Sequence, residues 1–398
     1  MHVSQYGQKI HRFFNLSHVT AGFIAVLVGY TSSAFIIFQA VNAAGASAEQ
    51  ISSWFWALGV GMAVTTIGLS LFYKTPILTA WSTPGAALLA TSLDGVSLNQ
   101  AIGVFLFSST LILVCGLTGW FEKLTRHIPG SIASAMLAGV LLQFGLNVFT
   151  GIAIDPLLVG GMLIGYLVLK RCVPLYTIPL VLLIGVGISL TQGSLRLEDI
   201  RLEMASPVWI SPEFSLSALI GIGIPLFVVT MASQNVPGIA VLRANGYQTP
   251  SSPLISTTGF MGVLMAPFGG FAFNLAAITA AICMGKDAGE DAKTRYMASV
   301  WAGLFYLLTG LFAATVATLF SVFPQTLVFT IAGLALVGTI GNSLAIALND
   351  ASEREPALLT FLMTASGVSL MGIGSAFWGL LLGITAYALS SASRREYA

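Results

Sequence analysis

The sequence predicts an all-α polytopic membrane protein, with fourteen crossing segments in two inverted repeats of seven. Three observations carry that prediction. Hydrophobic residues are 56% of the 398, charged residues are 8%, and mean hydropathy is +0.90; a soluble chain carries about 25% charge. The apolar runs approach the ~20 residues that span a hydrocarbon core. The cationic residues fall on alternate loops, as they do in proteins inserted by the positive-inside rule.

In order, the first seven segments cover 18–41, 50–72, 76–93, 100–121, 129–149, 154–170 and 174–191. The second seven cover 215–239, 253–268, 270–285, 295–319, 324–348, 356–372 and 374–392. Residues 1–17 and 393–398 read as cytoplasmic tails, 18–191 and 215–392 as the two repeats, and 192–214 as a polar periplasmic linker. With the N-terminus inside, 14 of the 16 Lys and Arg residues fall on inner loops, from Lys9 and Arg12 through Lys123 and Arg126 to Arg395. Only Arg196 and Arg201, both in the linker, fall outside. Seven crossings reverse the starting side, so the second repeat is inverted relative to the first. The polar start runs directly into a full-length segment without a small-residue cleavage site, so no removed signal peptide is expected.

Segments three and ten are interrupted. The first interruption reads Ala80-Trp81-Ser82-Thr83-Pro84-Gly85, and the second reads Phe268-Gly269-Gly270-Phe271-Ala272-Phe273-Asn274. Each predicts a few extended residues followed by a half-length helix, with broken half-helices in segments 3 and 10. A helix starting inside a bilayer leaves N–H groups unpaired and turns its positive end inward. Paired interruptions of this kind mark the binding site of many secondary transporters. Thr83 is the expected cap, with Pro84 at the first helical position, and Asn274 is expected to cap the second half-helix. Phe271 and Phe273, two apart, are expected to point one way and to suit a ring beside an anionic group. A plain proline kink and lipid-facing phenyl rings are the bland alternatives.

Other polar groups fall within the apolar runs. Gln234 and Asn235 stand before Pro237 in segment eight, and such amides are costly in lipid unless they face the protein interior. Tyr30, Thr31, Ser32 and Ser33 follow Gly29 in segment one, where hydroxyls also commonly bond back to their own helix. Gln143, Asn147 and Asn342 read as structural. No Asp, Glu or His falls at mid-depth; His18, Asp155 and Asp350 are the nearest candidates for a proton relay. Cys115, Cys172 and Cys283 have no metal spacing or clear pairing. No metal, cofactor or nucleic-acid partner is expected. Without an embedded Asp pair, a His cluster or a G-x-S-x-G, the chain does not read as an enzyme.

The fourteen segments, the two interruptions, Gln234-Asn235-Val236-Pro237 and the run Pro267 to Asn274 resemble the benzoate/proton symporter family over nearly the whole chain. That family is similar in architecture to uracil and nucleobase symporters and to sulfate-type anion carriers. The resemblance implies a core domain (segments 1–4 and 8–11) moving against a gate domain (5–7 and 12–14), commonly as a homodimer. It also implies proton-coupled uptake of a small aromatic carboxylate, benzoate first, across a bacterial inner membrane. The residues expected to hold it are Tyr30, Ser32, Ser33, Trp81, Ser82, Thr83, Gly85, Gln234, Asn235, Phe271, Phe273 and Asn274. Uracil symporters carry glutamates where this chain has Gln234 and, near the second half-helix start, Ile278. A nucleobase or inorganic-anion carrier of the same architecture, an anion channel and a non-transporting scaffold are the other readings.

Overall fold

The structure is a computed structural model that describes residues 15–120, 129–195, 202–371 and 375–396. Lys9, Arg12, Lys123, Arg126, Arg196 and Arg201, and with them most of the N-terminal tail, lie outside the described residues. The chain is mostly helical. In order it runs α1 (Leu16–Ala43), α2 (Ala48–Tyr73), β1 (Thr79–Trp81), α3 (Thr83–Ser92), α4 (Leu98–Leu117), α5 (Gly130–Gly151), α6 (Pro156–Cys172) and α7 (Thr177–Thr191). After the linker come α8 (Leu216–Arg243), α9 (Ser251–Met265), β2 (Phe273–Leu275), α10 (Ile278–Met284), α11 (Tyr296–Leu311) and α12 (Ala313–Val322). The last three helices are α13 (Gln325–Ala347), α14 (Arg354–Ala365) and α15 (Ser375–Glu396).

Local chemistry sets several starts. Asn15 caps α1 through Ser17 N–H, and Ser47 and Gln50 form a reciprocal capping box at α2. Ser97 caps α4 and Asp155 caps α6. Among the described residues, six helices are long and apolar enough to cross a membrane: α1, α2, α4, α5, α8 and α13. The pair α11 and α12, bent by 68° at their junction, passes the same test as one broken span. Others fall short of a full crossing by length, with 17 residues in α6, 15 in α7 and α9, and 12 in α14. Buried short helices still fit a bilayer when neighbours cover their ends.

Two packing groups emerge. In one, α2 lies on α11, α4 on α9, and α1 on α3 and α11. In the other, α5 lies on α13 and α14, α14 on α15, and α6 on α7. The polar linker is not a free tether. Ala205 N–H donates to Leu311 O (2.8 Å), Val208 N–H to Ser53 Oγ (2.9 Å), Ile210 N–H to Pro267 O (2.8 Å) and Glu213 N–H to Asn99 O (2.9 Å). It is therefore strapped across helices of the first group.

Candidate functional site

The two interruptions meet. β1 and β2 pair antiparallel, with Thr79 opposite Leu275, Ala80 opposite Asn274 and Trp81 opposite Phe273. Two strands 190-odd residues apart thus satisfy each other's backbone groups inside an apolar interior, where an open edge would be costly.

From β1 the chain turns directly into α3. The cap is Ser82, not Thr83: its Oγ accepts from Gly85 N–H (3.0 Å), and its carbonyl accepts from Ala86 N–H (2.7 Å). Thr83 is the first helical residue, one position later than a cap, because the extended backbone ends at Ser82. Pro84 has no N–H and the Gly85 and Ala86 N–H groups go to Ser82, so Thr83 N–H is the remaining donor of the first turn. Gly85 admits α8: a Cβ there would stand 2.8 Å from a methyl of Leu226.

The second interruption differs more from expectation. Asn274 does not cap a helix. It lies within β2, fully buried, while α10 begins at Ile278 after an uncapped Ala277. Asn274 Nδ2 donates to Ala272 O (3.0 Å), a residue held at φ +44°, and its Oδ1 is buried without a hydrogen bond. Phe271 and Phe273 each sit in packed interior, against different neighbours, and Ala272 between them is held at φ +44°, outside extended backbone. The Phe271 ring lies 5.3 Å from Phe105 and 6.0 Å from Trp54, and Phe273 fits against Gly61 of α2 and Gly262 of α9. Both are at most 1% exposed, so neither presents surface to a ligand.

The middle of α1 crosses this pair. Ser33 Oγ–H donates to Gly29 O (2.9 Å) and accepts from Trp81 Nε1–H (2.8 Å). Tyr30 stands edge-on to Trp81 with ring centres 4.8 Å apart. Ser32 and Thr31 bond back to Gly29 O (3.1 Å) and Leu27 O (2.7 Å), the bland outcome for membrane hydroxyls. A residue the sequence reading missed, Tyr306 of α11, joins the cluster 6.3 Å from Tyr30. Its signal is weak, being one tyrosine in an apolar run.

α8 closes the other side. It carries π-helical turns at Leu219–Gly223 and Met231–Asn235; such turns loosen the carbonyl ladder and recur at functional sites. The second turn packs on β2 and on α5. Asn235, fully buried, accepts from Leu275 N–H (3.0 Å) and donates to Met231 Sδ (3.1 Å). Half-buried Gln234 precedes it. The structure thus gathers Tyr30, Ser33, Trp81, Ser82, Thr83, Gly85 and Asn235 around the paired strands, with Phe271 and Phe273 behind them.

The relay candidates lie elsewhere. Asp155 caps α6 through Leu158 N–H (3.0 Å) and also accepts from Gln192 (3.1 Å). Asp350 is exposed in the turn after α13, where it accepts from Ser352 N–H (2.8 Å). His18 is buried in the first turn of α1, beside Gly289.

The sequence matches the family described as "Benzoate membrane transport protein" over residues 12–389. The chain belongs to this benzoate transport family. It is 47% identical over 390 residues to "Inner membrane protein YdcO" of Escherichia coli (strain K12), covering 97% of this chain and all of that one. It is 42% identical over 374 residues to a "Benzoate membrane transport protein" of Acinetobacter baylyi (strain ATCC 33305 / BD413 / ADP1), covering 94% and 95%. Among solved structures, SLC26A9 shares the fold at TM-score 0.64 and 14% identity, over 95% of this chain. The chain spans 65% of that structure's length. This is a multi-pass membrane protein of a transport family, not an enzyme. Membership gives the paired strands a context: many secondary transporters hold their cargo where two helices are interrupted.

A cleft of about 530 Å³ opens beside this family member's α3, between its C-terminal end (Leu88, Thr91), α5 (Gly139, Gln143) and α14 (Thr364). It lies at the seam of the two packing groups, next to the loop holding Asp94.

Proposed function

We propose that this protein imports a small aromatic carboxylate, benzoate first, together with a proton across a bacterial inner membrane. Fourteen spans in two inverted repeats of seven, with both termini cytoplasmic, carry this out by alternating access. The core is α1–α4 with α8–α12, the gate is α5–α7 with α13–α15, and the protein works as a homodimer. Shifting every span by seven exchanges the α2–α11 contact with the α4–α9 contact, which supports the inverted repeat.

The observation that carries the reading is the β1–β2 pairing. It sets the start of α3, the middle of α1 and the π turn of α8 around one point. The carboxylate is assigned to Thr83 N–H and the positive end of α3. Tyr30 and Trp81 flank it, and Gln234 offers an amide from α8. A carboxylate at a partly buried helix start gains roughly 1–2 kcal/mol.

The test is equilibrium binding to the purified protein. Benzoate should bind about five- to thirtyfold more tightly than benzamide, which keeps the ring and loses the charge. Equal affinity for the two removes the anion site.

A further inference from the structure

The half-helix α10 opens on an isoleucine that its neighbours leave uncovered. Ile278 is 75% exposed, although Leu275 and Ala276 before it are 1% and 5% exposed and Ala280 after it is 1%. Its depth follows from α1. Gly29 is at the middle of that helix, which is long and apolar enough to cross a membrane. A Cβ on Gly29 would stand 3.6 Å from Thr279 Cγ2 and 3.6 Å from Tyr306 Oη. Ile278, next in the chain to Thr279, therefore lies near mid-membrane. Tyr30, next to Gly29, presents a half-buried ring at the same depth.

The covered sides of α10 are taken by α1, α11 and the last turns of α8. The phenyl rings that the sequence offered for an aromatic ligand are closed off: Phe271 against Trp54 and Phe105, Phe273 against Gly61 and Gly262. If an aromatic acid sits at the start of α3, its ring needs another apolar surface at this depth. Ile278, exposed, and Tyr30, half-buried with its ring against Trp81 and Tyr306, are apolar groups that flank the Gly29–Thr279 contact.

We propose that Ile278, with Tyr30, is the wall against which the ring of the carboxylate substrate rests, and that the size of residue 278 sets how large a ring is accepted. This rests on the functional reading above. A smaller side chain opens room at the far end of the ring, and a larger one closes it. Apolar area lost to water costs affinity in proportion.

The experiment measures binding of benzoate and 4-isopropylbenzoate to the purified full chain, as wild type, Ile278→Ala, Ile278→Val and Ile278→Phe. Phe260→Ala, an exposed ring on α9, is the control. Ile278→Ala should weaken benzoate about fivefold and raise the 4-isopropylbenzoate to benzoate affinity ratio. Ile278→Phe should lower that ratio, and Ile278→Val should move it in the same direction as Ala but less. Phe260→Ala should leave it unchanged. The Val variant, one methylene smaller, still decides the matter should the Phe variant fail to fold. Wild-type protein that binds neither acid overturns the functional reading and this proposal with it. Wild-type binding with a ratio that stays constant across the Ile278 variants overturns the ring wall alone, and shows a residue facing lipid.

Discussion

Ser33 and Trp81 are joined by a 2.8 Å hydrogen bond that ties the middle of α1 to the end of β1. Ser33 is 2% exposed and Trp81 4%, so the bond is out of water, where an unmade partner is costly. Ser33→Ala leaves the indole N–H without an acceptor and should destabilise the protein by about 1–3 kcal/mol. Because Trp81 holds Tyr30 edge-on, benzoate affinity should fall as well. A thermal-shift series with and without benzoate separates the two effects: the melting temperature should fall, and the benzoate-induced rise should shrink.

Asn235 and Gln234 are neighbours with different tasks. Asn235 accepts the Leu275 N–H that β2 cannot satisfy within its own pair. Asn235→Leu should cost about 1–3 kcal/mol of stability and yield little folded protein. Gln234→Leu should leave melting nearly unchanged and reduce benzoate affinity. The reverse pattern in the two melting curves would exchange their assignments.

Phe271 and Phe273 belong to packing. Phe271→Leu should lower stability by about 1–2 kcal/mol, as a near volume-conserving change in a filled core does. The preference among ring-substituted benzoates should stay the same. Gly269→Ala should be worse. Gly269 has φ +94° and an added Cβ would collide with the Trp54 ring, so two penalties add and expression should collapse.

These residues show which features of the site are legible in the sequence. The positions of both interruptions follow from Pro84 and from the Gly269-Gly270 pair, because proline and glycine act locally. Apolar run length tells where helices form, and six described helices, or seven with the bent α11–α12 pair, are long and apolar enough to cross a membrane. Sequence spacing carries no information on which interruption pairs with which, so the β1–β2 register was invisible. The cap moved from Thr83 to Ser82 because both residue types cap well and only backbone dihedrals choose. Asn274 is not a cap because the strand continues through Leu275, and period two does not describe Phe271 and Phe273 because Ala272, at φ +44°, interrupts the extended backbone between them. Tyr306 escaped because an aromatic in an apolar span carries no mark of its neighbours.

Under the proton-coupled reading proposed above, none of His18, Asp155 and Asp350 lies among the described residues gathered around the paired strands. Asp155 is a helix cap and Asp350 lies in an exposed turn. A benzoic-type acid titrates near pH 4, so protonating it at pH 7 costs on the order of 4 kcal/mol, comparable to the several kcal/mol for desolvating a bare carboxylate. On that reading the substrate itself is the proposed carrier of the proton through a closed site. Counting both uptakes in liposomes should give one proton per benzoate for wild type and for His18→Gln, Asp155→Asn and Asp350→Asn. A variant that moves benzoate without protons would identify its side chain as the carrier.

Uptake of labelled benzoate into proteoliposomes under an imposed pH gradient, acid outside, tests the transport claim most directly. Benzoate is expected to accumulate above its external concentration in protein-containing vesicles, beyond the passive distribution measured in protein-free ones. The excess should saturate with concentration and vanish when the gradient is collapsed. Uptake identical to that of protein-free vesicles, or entry that never saturates, would contradict it.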